Sequence, residues 1–159
     1  ATTEIYTLSL HDALPISGAK VGLANLVMII AVFTLRWRQV WVMQILRLLI
    51  TALFTGFSVF LYSFAGGILS LLAMYLMKQF GPKLVSMIGI STVGGFFHNF
   101  GQLAMASLLA KTTSVMLYLP WLAFFGILAG FAIGIAGNQL ITRVKPIQEL
   151  FIKESKQWT

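Results

Sequence analysis

The sequence predicts an all-α membrane protein, a polytopic bundle with five visible transmembrane helices. Three observations predict it. Hydrophobic residues make up 58% of the 159-residue chain and charged residues only 9%, a balance unlike that of a soluble domain. Long apolar runs alternate with short basic clusters, as in helices that cross a bilayer and leave their cations at its faces. No aspartate or glutamate occurs between Ser17 and Gln148. The mean hydropathy of +0.91 agrees.

Residues 1–16 stand outside this pattern. They read ATTEIYTLSLHDALPI, which corresponds codon for codon to the in-frame translation of a common short-read sequencing adapter. The stretch is therefore read as foreign and excluded from fold reasoning. The natural sequence is expected to begin near Ser17 or Gly18, without its true N-terminus. Residues 17–142 form the transmembrane helical domain and residues 143–159 a cytoplasmic basic tail. Glu4, Asp12 and His11 fall in the foreign stretch, so all eleven Lys and Arg side chains face only Glu149 and Glu154 in the remainder.

Five helices are expected. The first runs from about Val21 to Leu35 and the second from about Val40 to Gly56. The third runs from about Ser63 to Met77, and Gly81-Pro82 breaks the chain after it. The fourth runs from about Leu84 to Ala110, with Gly94-Gly95 as a candidate kink. The fifth runs from about Pro120 to Thr142, with Pro120 in its first turn, where a missing N–H costs nothing. Helices are the spanning form because lipid offers no partner to backbone groups. The tail carries Ile147, Leu150 and Phe151 at helical spacing; it either lies on the inner membrane surface or frays.

The cations set the orientation. Arg36, Arg38, Lys78, Lys83, Arg143, Lys145, Lys153 and Lys156 fall on one side, Lys20 and Lys111 on the other. Positive charge favours the cytoplasm, so the C-terminus is expected there and the visible N-terminus outside. A chain starting in the cytoplasm then needs one more helix before Gly18, giving six spans. The same placement of charge between apolar spans excludes nucleic acid as a partner, since no basic face of adequate size remains. The absence of cysteine excludes disulfides and thiolate chemistry.

Gly126, Gly130 and Gly134 recur every four residues on the fifth helix and make a flat helix-packing face. It serves either packing within the bundle or docking of a partner subunit. Gly66 and Ser70 form a similar pair on the third helix, and Gly18 and Gly22 a weaker one.

Polar groups within the spans are the candidate site. Arg47 falls near the middle of the second helix, where an ionised guanidinium is costly and usually faces a bundle interior or a cavity. No carboxylate in the spans can neutralise it. Gln44, Arg47, Thr51 and Thr55 form one stripe. Arg47 either snorkels onto backbone carbonyls or holds an anionic ligand, for which a planar guanidinium is suited. On the fourth helix Ser91, Gly95, His98 and Gln102 share a face with Asn99 beside it; His98 either bonds a neighbouring helix or lines a pocket. Metal binding is not supported, because no second His, Cys or acid is at hand. Asn25 and Lys20 complete the inventory, Lys20 also reading as an interfacial anchor. Trp37, Trp41, Tyr118 and Trp121 read as aromatic-belt residues. No cofactor motif occurs, and no glycine-rich phosphate loop with its Lys-Ser/Thr is present.

These motifs resemble a known family. Gly18-Ala19-Lys20-Val21-Gly22-Leu23-Ala24-Asn25 is similar to the GAKxGLAN signature of the Gx transporter family, also described as heptaprenyl diphosphate synthase component I. The likeness continues through Leu46-Arg47, through Ser63 to Ser70 (SFAGGILS), and through His98-Asn99-Phe100-Gly101-Gln102-Leu103, covering Gly18 to Thr142. It implies a hydrophobic helix before Gly18, so the visible chain would be a truncated form of a six-helix fold like the substrate-capture subunits of energy-coupling-factor transporters. It further implies a multi-pass bacterial inner-membrane protein that binds a small vitamin-like or precursor molecule and works with lipid, a coupling membrane protein and ATPase subunits. Arg47, Asn25, His98, Asn99, Gln102 and Lys20 would bind the substrate. The alternative is a non-catalytic accessory subunit in prenyl diphosphate or quinone metabolism, or in flavin-linked extracellular electron transfer. Catalytic prenyl transfer is not expected, because it needs Mg²⁺ held by clustered aspartates and no Asp follows Ile16.

Overall fold

The computed structural model describes residues 25–80 and 85–155. Residues 1–16, Gly18, Lys20, Val21, Gly22, the Gly81-Pro82 break, Lys83, Leu84 and Lys156 lie outside the described residues. The described residues are all-helical: α1 (Asn25–Thr34), α2 (Trp37–Phe54), α3 (Phe57–Gln79), α4 (Met87–Ala110), a 3-10 helix (Thr113–Tyr118), α5 (Leu119–Arg143) and α6 (Lys145–Ser155). Two segments are long and apolar enough to cross a membrane, α3 and the continuous stretch Thr113–Arg143.

Local chemistry explains the boundaries. The backbone N–H of Arg36 donates to the Gln39 side chain at 3.2 Å and opens α2. Thus α2 starts at Trp37, ahead of the Val40 read from hydropathy alone. Gly56 is the N-cap of α3, which begins six positions before the expected Ser63. Phe57, Phe60 and Phe64 lie on one helical face there, with ring centroids 6.3 and 6.0 Å apart, a spacing that supports the extra turns. Ser86 caps α4 by accepting from the Gly89 N–H at 3.2 Å. Lys111 ends α4 in the left-handed region, φ 50°. Thr112 then accepts from the Ser114 N–H at 3.3 Å and starts the 3-10 turn that the hydropathy reading passed over.

Glycine sets how closely the helices approach. A Cβ at Gly130 would stand 2.5 Å from the Ser91 carbonyl oxygen, one at Gly126 2.6 Å from that of Gly95, and one at Gly134 2.8 Å from the Cα of Ile88. The glycine face of α5 is therefore filled by α4. Across the other side of α4, Gly101 meets Ala65 and Gly66 of α3 just as tightly. Gly94 and Gly95 let α4 approach Met74 and Gly126 respectively, and α4 runs through them unbroken. Backbone contact at this range needs small residues, as in helix pairs that lack a hydrophobic drive to associate.

α1 fills the centre. Met28, Ile29, Ala31, Val32, Phe33 and Thr34 are all buried, with Val40 of α2 and Leu71 of α3 beside them. Lys78 of α3 donates to the Val32 carbonyl and lies over the Phe33 ring, 5.8 Å from its centroid, a favourable place for a cation at a helix C-terminus. Trp37 stacks on Tyr75 at 4.1 Å and meets Trp41 edge-on at 5.5 Å. Both tryptophans pack against the core, whereas Tyr118 and Trp121 are exposed. The tail forms α6. Ile147 and Phe151 turn back onto the core, the Phe151 ring 6.4 Å from that of Phe33, while Leu150 points outward.

Replacing Gly130 with valine should lower the thermal unfolding midpoint of detergent-purified protein, by a free energy of about 1–3 kcal/mol for overpacking. Gly56→Ala, where a Cβ meets nothing within 4 Å, should stay within about 1 kcal/mol of the parent.

Candidate functional site

Arg47 and His98 come from different helices and face one cavity. It has a volume of about 640 Å³, within the range of small-molecule sites. Its lining includes Val27 and Met28 of α1, Met43, Leu46, Arg47, Ile50 and Thr51 of α2 with its C-cap Thr55, Val59 and Ser63 of α3, and His98 and Gln102 of α4. Arg47 is half-buried there. His98 and Gln102 also line a second cavity of about 200 Å³, together with Asn25, Ile29, Ser70, Ser91, Asn99 and the glycines Gly94, Gly95, Gly126 and Gly130. A third, of about 230 Å³, touches Ser63, Asn99 and Gln102. Gln102 therefore sits where three spaces meet.

The small-residue packing creates this arrangement. Gly66 leaves room for the His98 backbone and ring; a Cβ there would stand 2.6 Å from the His98 carbonyl oxygen and 3.2 Å from Nδ1. His98 and Gln102, one helical turn apart, thereby lie against α3 while reaching both the first and the second cavity. The polar face that does this also dilutes the apolar character of α4 along its length.

Hydrogen bonds divide the polar groups. Asn99 donates from Nδ2 to the Leu122 carbonyl at 2.6 Å and ties α4 to α5. Thr51 donates to the Arg47 carbonyl at 2.9 Å, and Thr55 to the Thr51 carbonyl at 2.6 Å. Their hydroxyl protons are spent within α2. The His98 ring hydrogen-bonds the Gly66 backbone, so among the described residues the Arg47 guanidinium, the Ser63 hydroxyl and the Gln102 amide are the groups on the large cavity that can donate to a guest. Among the described residues the acids are Glu149 and Glu154, both on α6. Arg47 lies ten residues beyond the start of α2, a rise of roughly 15 Å from that end.

The structure thus gathers Arg47, His98 and Gln102 at one cavity, and Asn25, His98, Asn99 and Gln102 at its neighbour. Lys20 lies outside the described residues. Gln44 departs from the stripe read along α2: it is 2% exposed and its amide packs over Gly67 of α3. Sequence reasoning passed over Ser63 as a lining residue. Its signal was the seven-residue spacing to Ser70, which returns two hydroxyls to one helical face.

Asn99→Leu should destabilise the protein by about 1–3 kcal/mol, read as a lower unfolding midpoint, because the part-buried Leu122 carbonyl loses the Asn99 donor that ties α4 to α5. Asn99→Gln should recover less than half of that loss.

Comparison with known proteins adds one relation. The model of heptaprenyl diphosphate synthase component I matches residues 5–140. The matched span begins inside the stretch that reads as adapter and takes in all the motifs from Gly18 to Leu103. No curated protein and no solved structure matches the chain. With most of its length covered by this model, the chain belongs to the heptaprenyl diphosphate synthase component I family.

Proposed function

We propose that the protein is the substrate-binding integral membrane subunit of an energy-coupling-factor-type uptake transporter for a small vitamin-like or precursor molecule. The observation that carries this reading is the meeting of Arg47, His98 and Gln102, from α2 and α4, at one cavity of ligand size. Asn25 and Asn99 border the adjoining space, and Lys20 is assigned to the same site. A guanidinium within a bundle interior is expensive to keep, and its presence on a cavity favours binding over packing.

The surface supports embedding in lipid. The residues α5 buries are Gly126, Gly130, Gly134, Gly137 and Ile141, and those it exposes include Phe124, Phe125, Ile127, Leu128 and Phe131. A soluble bundle would reverse this, placing large apolar groups inward. On this reading α1 to α5 are the five crossings and the cations beside α6 face the cytoplasm. Binding would be capture and occlusion, with energy supplied by a coupling membrane protein and ATPase subunits. This chain has no phosphate loop of its own.

The family description favours a second reading, a non-catalytic accessory subunit in prenyl diphosphate or quinone metabolism. Clustered aspartates for Mg²⁺ are what prenyl transfer requires, and Asp12 is the one Asp in the chain. Any catalysis would then lie in a partner.

Mass spectrometry of small molecules released from the purified protein tests the first reading. A single compound should be retained, and Arg47→Ala and His98→Ala should each weaken its binding about tenfold or more. Undiminished binding in both variants overturns the site. A reporter fused after Thr159 should be active in the cytoplasm; activity outside overturns the topology.

A further inference from the structure

We propose that the larger cavity holds an amphiphilic acid, with one acidic headgroup on Arg47 and an apolar body along Val27, Met43, Leu46 and Ile50. The proposal rests on the substrate-binding reading and narrows it to a ligand class.

The lining decides the class. Arg47 is the single cation among the described residues on this cavity, and the chain places no carboxylate between Ser17 and Gln148. A negative charge to pair with it must come from a guest or a lipid. The Thr51 and Thr55 hydroxyls have already given their protons to α2 carbonyls. They can accept from the guanidinium and hold its fork, but they donate nothing to an anion. Ser63, His98 and Gln102 remain as neighbours for the headgroup. Beyond them the wall is apolar and open to the outside: Val27, Leu46, Ile50 and Val59 are exposed, and Met28 is buried.

Other ligand classes fit this wall less well. A sugar or nucleotide carries polar groups all round and would set hydroxyls unpaired against aliphatic side chains. A neutral hydrocarbon would leave the guanidinium without a partner. A diphosphate would bring more negative charge than one guanidinium balances. An acid on an apolar chain satisfies both parts of the cavity, and a planar guanidinium holds a carboxylate through two parallel hydrogen bonds. The same chemistry is offered by a free carboxylic acid and by an anionic bilayer lipid.

The test uses the full chain in phosphatidylcholine nanodiscs, with radiolabelled hexadecanoate and its neutral counterpart hexadecanol as probes and empty nanodiscs as blank. Hexadecanoate should bind about tenfold or more tightly than hexadecanol. Arg47→Gln should bring the acid down to the affinity of the alcohol, and Arg47→Lys, which keeps the charge and loses the two-point fork, should bind it more weakly than the parent and more tightly than Arg47→Gln. The comparison of the two probes on the parent chain needs no variant, so a misfolded Arg47→Gln does not remove the test. Doping the discs with phosphatidylglycerol assigns the source. Displacement of hexadecanoate points to a bilayer lipid as occupant, and its absence to a free acid. Equal binding of acid and alcohol, or no binding of the acid, overturns the proposal. If that happens while Arg47→Ala and His98→Ala still weaken the co-purifying compound, substrate binding stands and only the ligand class falls.

Discussion

A guanidinium set among helices that carry no carboxylate is the constraint on which the rest of this structure depends. Charge among packed apolar helices is tolerated only where water, a cavity or a counter-charge reaches it. The bundle provides the cavity: Arg47 stands on its wall, facing a space shared with His98 and Gln102 of a different helix. Thr51 and Thr55 turn their protons inward to α2 and so offer no donor to a guest. The local chemistry thus prepares Arg47 to meet an anion without supplying one.

The cavity exists because the helices around it approach so closely elsewhere. Gly95, Gly101, Gly126 and Gly130 bring α3, α4 and α5 into backbone contact. With α4 held on both sides, His98 and Gln102 reach the spaces left between the helices, the largest of them lined by α1 and α2. There the helices are joined mainly through α1, which is buried along most of its described length. Asn99 reinforces the α4–α5 side with its bond to the Leu122 carbonyl, and Lys78 closes the opposite end of α1. Tight packing on one side and an open space on the other are two outcomes of one distribution of small residues.

Much of this was legible in the chain, and the rest failed for identifiable reasons. Long apolar runs announce helices, and each described run is helical. Their ends are set by single capping contacts, such as Ser86 with Gly89 or Gln39 with Arg36, which hydropathy does not register. The 3-10 turn at Thr113–Tyr118 depends on one threonine hydroxyl. α6 was ambiguous because three apolar residues among charges suit either a membrane surface or a core; Ile147 and Phe151 face the core. Within one helix, periodicity carried Arg47, Thr51 and Thr55 to the same cavity. It misplaced Gln44, which a neighbouring glycine draws toward α3. The spacing of Ser63 to Ser70 marked a shared helical face, but which cavity Ser63 lines depends on α3 lying beside α2, and meetings between helices are not written in the spacing of either.

The most direct measurement of the central claim is photo-crosslinking with a diazirine-bearing long-chain acid, mapped by peptide mass spectrometry on the full chain. If Arg47 and its cavity hold the acid, adducts will concentrate on Met43, Leu46, Ile50 and Val59 and will vanish under excess unlabelled acid. Adducts confined to residues away from the cavity, such as Phe124 and Leu128 of α5, and indifferent to competitor, would contradict it.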